Sequence, residues 1–231
     1  MLHALITGAN RGLGLEHTRQ LLQRGWKVTA ACRDPQSASE LAGLDTGEGE
    51  LVVVAYDATD LAAPARLADT LTDPIDLLFA NAGLMTRETR TFGSAANEAF
   101  IDEMRVNALA PLALVEALAD KVAASEMKVI ALQTSRMGSI ADNDSGGAYG
   151  YRASKAALNA VGKSLSIDLA DRGIVTVLLH PGWVKTDMGG PNGLLTIPEA
   201  VSGQLDLIAR AFKNPAMNGR FFHVSGEDLA W

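Results

Sequence analysis

A single cysteine, Cys32, stands in the 231 residues, so no disulfide can form within the chain and the core has to hold the fold. No secretory-type leader precedes the first apolar run, which starts directly after Met1, and a reducing cytoplasm is the expected setting. Long hydrophobic runs are missing as well. They break well short of the ~20 residues a membrane-spanning helix needs, so a soluble protein with no membrane partner is expected. Positive charge is in short supply: 20 Lys and Arg face 27 Asp and Glu, a net charge of −7. Such a chain repels polyphosphate surfaces unless a local basic patch overrides the balance, which argues against nucleic acid as a partner. Histidines at 3, 17, 180 and 223 show no ligand spacing, so no catalytic metal is expected. Internal repeats, low-complexity tracts and linker-like stretches are absent, and residues 1–231 read as one domain.

What is present is a globular composition, 48% apolar and 20% charged. Short runs rich in Val, Ile and Leu recur at 2–6, 27–31, 51–55, 75–79, 128–133, 175–180 and 221–224, each readable as a buried strand. Stretches with helical spacing lie between them at about 13–23, 60–72, 97–123, 151–171 and 197–212, with a weaker one near 36–44. This alternation predicts a doubly wound α/β fold: about seven parallel strands with helices on both faces and the ligand site at the C-terminal edge of the sheet. Gly189 to Gly193, with Pro191, punctuates the chain before the last helix and could act as a lid hinge.

The first strand runs into Thr7-Gly8-Ala9-Asn10-Arg11-Gly12-Leu13-Gly14 and then into a helical pattern. Amides of such a turn and of the following helix N-terminus point at a ligand, which suits a pyrophosphate. Glycine there permits positive φ and close approach of the backbone. The spacing Gly-x-x-x-Gly-x-Gly after an N-terminal strand resembles the short-chain dehydrogenase/reductase family, and later motifs extend the likeness over essentially the whole chain.

That resemblance implies a cofactor site built from several segments. Gly8, Asn10, Arg11, Gly12, Leu13 and Gly14 would cradle the phosphates. Asp57, with the amide of Ala58, would bind the adenine, and Asn81-Ala82-Gly83 would support the sheet and line the adenine-ribose side. In His180-Pro181-Gly182-Trp183-Val184-Lys185-Thr186, the backbone of Pro181, Gly182 and Val184 and the Thr186 hydroxyl would meet the nicotinamide carboxamide.

Tyr151 and Lys155 lie four apart at the start of an Ala-rich helical stretch and so share a face. A phenol is a poor acid and a worse base at neutral pH, but a neighbouring ammonium favours the phenolate and draws its pKa towards working pH. Tyr149 is six residues from Lys155, most of the way to the opposite face at about 100° per residue. It is expected to pack or touch substrate. The resemblance makes Tyr151 the general acid, and gives Lys155 the nicotinamide ribose besides the tyrosine. Ser135 would orient the substrate oxygen, with Thr134 as a substitute, and Asn107 would hold a water linking Lys155 to solvent. The reaction implied is hydride transfer between the cofactor and a carbonyl or alcohol. An Asn mid-helix could instead cap a local kink.

NAD-selective enzymes place an acid after the second strand; here Cys32 occupies that place and Arg33 follows it, so Arg11 and Arg33 can converge on a 2′-phosphate. NADP(H) is therefore the expected cofactor, unless Asp34 neutralises Arg33. Met85, Met137, Trp183, Met188, Leu194 and Leu195 fall in segments that the resemblance puts near the pocket, which suggests an apolar carbonyl substrate. Within the family, Tyr149-Gly150-Tyr151-Arg152-Ala153-Ser154-Lys155 together with the glycine loop is most similar to the group of sniffer-type carbonyl reductases and the bacterial C-factor. A dinucleotide-binding signalling protein with incidental catalysis is thus the rival reading, and a larger-substrate epimerase or dehydratase is a weaker one. Homodimers or homotetramers are usual in the family. The small residues Ala153, Ala156, Ala157, Ala160 and Gly162 could serve such packing or the internal core.

Overall fold

The computed structural model describes residues 1–93 and 97–231. Seven strands, β1 His3–Thr7, β2 Lys27–Cys32, β3 Glu50–Ala55, β4 Leu77–Ala80, β5 Val129–Gln133, β6 Val175–His180 and β7 Arg220–His223, form one sheet. All pairings are parallel, in the order β3-β2-β1-β4-β5-β6-β7. The helices are α1 Gly12–Gln23, α2 Ser39–Ala42, α3 Ala63–Thr70, α4 Asn97–Met104, α5 Ala110–Ala123, α6 Tyr149–Asp168 and α7 Ile197–Lys213.

Successive strand residues face opposite sides, and the sequence supplies an apolar residue for each. Leu5, Leu78, Ile130 and Leu178 pack with Leu114, Leu118 and Leu158 of α5 and α6. Their neighbours Ile6, Phe79, Ala131 and Leu179 pack with Leu21, Leu22, Leu205 and Ile208 of α1 and α7. Truncating the fully buried Phe79 to Ala in such a two-layer core costs ~3–5 kcal/mol. The expectation of seven buried strands needs one amendment: β3 is an edge strand, and Leu51 to Val54 are only partly covered. The weak helix near 36–44 is a single 3₁₀ turn, Pro35–Ser37, followed by α2.

The long helix expected over 97–123 is interrupted. Residues Arg105–Leu109 make one π-helical turn, in which Ala110 N–H reaches back to the Arg105 carbonyl, and Asn107 lies at its centre. Such turns concentrate at functional sites. The small-residue face of α6 is divided between two environments. A Cβ at Gly162 would stand 2.8 Å from Leu132 and Leu178, so this glycine admits the sheet, whereas Ala160 is exposed.

Candidate active site

Because every strand is parallel, all strand C-termini open on one edge, and the site is assembled there from loops. The β1 loop turns through Gly8 at φ +66° and Gly12 at φ +55°. A Cβ at Gly14 would lie 2.2 Å from the Gly8 carbonyl, so only glycine lets α1 start this close to the strand. Arg11 occupies the N-cap with no side-chain cap bond, which leaves the first-turn amides of α1 without a capping side chain. The arrangement is a cradle for an anion at a helix N-terminus, and it fits a dinucleotide pyrophosphate.

Thr7 joins this loop to the next strand. Its hydroxyl accepts from the amides of Asn81 and Ala82, both at 3.1 Å, while Asn81 Nδ2 donates to the Thr7 carbonyl at 2.9 Å. Asp57 closes a local turn, its Oδ1 accepting from the amide and hydroxyl of Thr59 at 2.9 and 2.8 Å. Arg33 is exposed at the end of β2, and Asp34 caps the following turn through the amides of Gln36 and Ser37. Arg33 therefore has no ion pair among the described residues. Arg11 reaches Asp187 at 3.4 Å across the mouth, with both side chains mostly exposed.

Past β6, Gly182 has φ +80°, and a Cβ there would meet Leu195 at 2.7 Å. Trp183 and Val184 pair with Leu194 and Leu195 to pinch off the 183–195 lobe. Inside the lobe the Thr186 hydroxyl accepts from Gly189 N–H at 3.0 Å, and Trp183 Nε1 donates to the Gly189 carbonyl at 2.7 Å. Trp183, Met188 and Leu194 are exposed at this rim, with Met85, Met137 and Leu195 partly buried.

Helix α6 begins at Tyr149, two residues earlier than the sequence suggests, from a tight entry. Gly146, Gly147 and Ala148 are all left-handed; Ala148, at φ +46°, bears real strain for a residue with a Cβ and is held by donating to the Arg90 carbonyl at 2.9 Å. Tyr149 is 46% exposed, whereas Tyr151, on the inward face, is 8% exposed. Lys155 is also buried, its Nζ 5.7 Å from the Tyr151 ring centre and donating to the Gln133 carbonyl at 2.7 Å. Ser135, just past β5, lies beside the Tyr151 phenol, and its Oγ accepts from Met137 N–H at 3.1 Å. Thr134 turns into the core and donates to Asn159 Oδ1 at 2.6 Å. Thus Ser135, Tyr151 and Lys155 come together, and Tyr149 and Thr134 point elsewhere.

Asn107 is fully buried, and its amide is committed to protein groups. Oδ1 accepts from Leu84 N–H at 2.7 Å, while Nδ2 donates to the Leu84 carbonyl at 2.7 Å and to Ser154 Oγ at 2.9 Å. A Cβ at Gly83 would lie 3.5 Å from Asn107 Oδ1 and 3.6 Å from Lys155 Nζ, so Gly83 borders both groups at ordinary contact distance.

Electrostatically the pair differs from the sequence expectation. Burial pushes Tyr151 up to about 12; the neighbouring Ser135 hydroxyl works against that and the Glu103 charge adds to it. Burial likewise brings Lys155 down to about 7. A half-neutral amine engaged with a carbonyl does little to stabilise a phenolate, so the tyrosine rests protonated.

Sequence reasoning missed the residues behind this pair. Gln133 accepts at Oε1 from Gln204 Nε2 at 2.9 Å, and Gln204 Oε1 faces His17 Nε2 at 3.1 Å, a buried polar chain through the α1/α7 layer. Glu103, on α4, is buried beside the first turn of α6. None carries a sequence signature: Gln204 and Glu103 stand at helical positions that ordinarily belong to solvated faces, and Gln133 is a lone polar residue ending an apolar strand. Among the described residues no group of three or more His, Cys, Asp or Glu could hold a metal ion, and no helix is long and apolar enough to cross a membrane.

With this geometry in hand, the short-chain dehydrogenase family model matches residues 2–193. The chain belongs to the short-chain dehydrogenase family. It is 44% identical over 170 residues to the C-signal protein of Myxococcus xanthus, covering 72% of this chain and 99% of that one. The NADPH-bound carbonyl reductase from chicken fatty liver superposes with a TM-score of 0.91 at 33% identity, covering 99% and 98% of the two chains. The carbonyl reductase Sniffer of D. melanogaster does so at 0.90 and 33%, over 100% of each chain. As a short-chain dehydrogenase the chain is an oxidoreductase by family, and its neighbours include structures crystallised with NADP(H).

Proposed function

We propose that this short-chain dehydrogenase is an NADP(H)-dependent carbonyl reductase that interconverts a small, apolar carbonyl compound and its alcohol. One observation carries the reading: Tyr151, Ser135 and Lys155 meet in a buried site at the C-terminal sheet edge, beside a glycine cradle. NADP(H), when bound, supplies or takes the hydride. The protein's own part is to position and to move a proton. Ser135 holds the substrate oxygen against the Tyr151 phenol, which is protonated at rest and ready to donate as negative charge develops on that oxygen. Lys155, brought down to about 7 by burial, returns the proton to the phenol after donation.

The amides of the Gly8–Gly14 loop would hold the pyrophosphate, with Arg11 and Arg33 on the 2′-phosphate. Asp57 and Ala58 would take the adenine, Asn81 to Gly83 the ribose side, and Pro181, Gly182, Val184 and Thr186 the carboxamide. Using Asp57 or Thr186 this way requires each to give up or share its local turn bond. The exposed apolar rim of Trp183, Met188 and Leu194 supports an apolar substrate. The same reading puts the chain in the cytoplasm as a homodimer or homotetramer; exposed Phe100, Ile101 and Leu109 offer an apolar face that a second copy could cover.

The 44% identity to C-signal favours a second reading, a dinucleotide-binding signalling protein whose catalysis is incidental. Incubating the purified chain with NADPH and a panel of aldehydes, ketones and diketones separates the two. NADPH-dependent reduction of at least one panel member is expected, and tight cofactor binding without turnover of any would favour signalling.

A further inference from the structure

Glu103, near the end of α4, is fully buried, and every group that bonds its carboxylate is neutral. Oε1 accepts from Thr86 N–H at 2.6 Å and from the Thr86 hydroxyl at 3.0 Å; Oε2 accepts from the Thr89 hydroxyl at 2.9 Å. Among the described residues it has no ion-pair partner. The charged groups around it are engaged elsewhere or exposed. Asp102 and Arg105 pair with each other on its own helix line, and Arg90 donates to the Thr86 carbonyl. On α6, Arg152 donates to Gly146 and Ser145, and Lys155 to Gln133. Arg87 and Glu88 lie at the surface. Burying an anion without a counter-charge is costly, and a neutral Gln would serve a plain bracing role at lower cost.

The carboxylate rests on the first turn of α6. A Cβ at Gly150 would stand 2.0 Å from Glu103 Oε2, so glycine is required beside Tyr151 to let the anion in. The helix N-terminus carries partial positive charge, which makes the anion tolerable there. Tyr151, in the same turn, therefore feels two opposed fields: the helix end favours a phenolate, and Glu103 disfavours it. The carboxylate also fixes the loop that starts the helix, because the carbonyls of Thr89 and Arg90 accept from the amides of Tyr149 and Ala148, both at 2.9 Å.

We propose that Glu103 is a charge-setting positioning residue for Tyr151: its buried carboxylate offsets the positive end of α6 and strengthens the hold of the phenol on its proton. The proposal rests on the role of Tyr151 given above. Near neutral pH the phenol is then ready to donate in carbonyl reduction, whereas alcohol oxidation, which needs it as a base, gains rate only as pH is raised.

Titration of the full chain labelled with ¹³C-tyrosine tests it, the Tyr151 resonance being assigned by its loss in Tyr151→Phe. Glu103→Gln is expected to lower the Tyr151 midpoint by about one unit, a tenfold change in proton affinity, and to move the pH optimum of alcohol oxidation down with it. Glu103→Met, which needs no partner for an amide, is the second neutral variant and should shift it the same way. Glu103→Asp keeps the charge and should leave the midpoint nearly in place. An unmoved midpoint in a folded neutral variant, an equal shift in Glu103→Asp, or folding by Glu103→Asp alone overturns the proposal. The titration reads Glu103 whether or not Tyr151 is the proton donor. Full turnover by Tyr151→Phe would instead remove the functional reading itself.

Discussion

Lys155 Nζ donates to the main-chain carbonyl of Gln133 at 2.7 Å, with no carboxylate among the described residues paired to it. Burial lowers its pKa from 10.5 to about 7, so the folded chain without cofactor binds this proton less tightly than the unfolded chain does. The penalty is present in full below about pH 7 and fades as pH rises to the ordinary lysine value, so stability from this group rises with pH across that window. Lys155→Met is expected to abolish turnover yet raise Tm by several degrees at pH 6, with the gain shrinking towards pH 10. Thermal melts of both proteins without cofactor check this; a lower Tm at every pH would show that the ammonium contributes more to the fold than it costs.

His17 makes a second test of buried charge, in a more acid window. Burial takes it from 6.5 to about 4, and its Nδ1 has no partner among the described residues. The folded state resists the proton that the unfolded chain accepts, so stability is lost as pH falls from 6.5 towards 4. The loss from this residue is of the order of 3 kcal/mol. His17→Gln can still donate to Gln204 and does not titrate, so urea unfolding at pH 7 and pH 4.5 should show a smaller acid loss than wild type. Equal losses would mean that other groups, His180 among them, carry the acid sensitivity.

Much of this architecture was legible in the sequence because it follows from local rules. Seven β-rich runs with intervening helical spacing predict the sheet, and Gly8, Gly12 and Gly14 mark a loop whose close approaches only glycine allows. Helical spacing puts Tyr151, and not Tyr149, on the face of Lys155, and the resemblance makes it the general acid; in the structure Tyr151 is buried and Tyr149 half exposed. What could not be read was whatever depends on contacts distant in sequence. Glu103 sits among Glu98 and Asp102, an ordinary surface pattern, until the fold lays Gly150 against it. The expected fall in the Tyr151 pKa failed for the same reason: spacing shows that two side chains share a face but says nothing of how deeply they are buried. The π-turn at 105–109 was half visible, as an Asn out of place in a helix.

Asn107 holds both backbone groups of Leu84 with its single amide. Asn107→Ala leaves that buried pair unsatisfied, at ~1–3 kcal/mol of stability, and should slow turnover more than it weakens cofactor binding. Chemical denaturation and single-turnover rates measure the two effects. An unchanged rate where chemistry limits would remove Asn107 from the proton route.

Arg33 has no ion pair among the described residues, and Arg11 has only the exposed contact to Asp187. Such a pair is weak and easily exchanged for a phosphate. NADPH should therefore bind more tightly than NADH, added salt should narrow the gap, and removing both arginines should largely abolish it. Titration of wild type and the double variant with each cofactor decides this. Equal affinities, or a preference for NADH, would contradict the assignment of these two residues.

The most direct test compares Tyr151→Phe with Tyr149→Phe in single-turnover reduction of a carbonyl substrate, with saturating NADPH. Tyr151→Phe keeps the ring and loses the transferable proton, so its rate should fall by ~10²-fold or more while NADPH affinity is largely kept. Tyr149→Phe, altering an exposed ring, should stay close to wild type. The reverse order of damage, or a fully active Tyr151→Phe, would contradict the account.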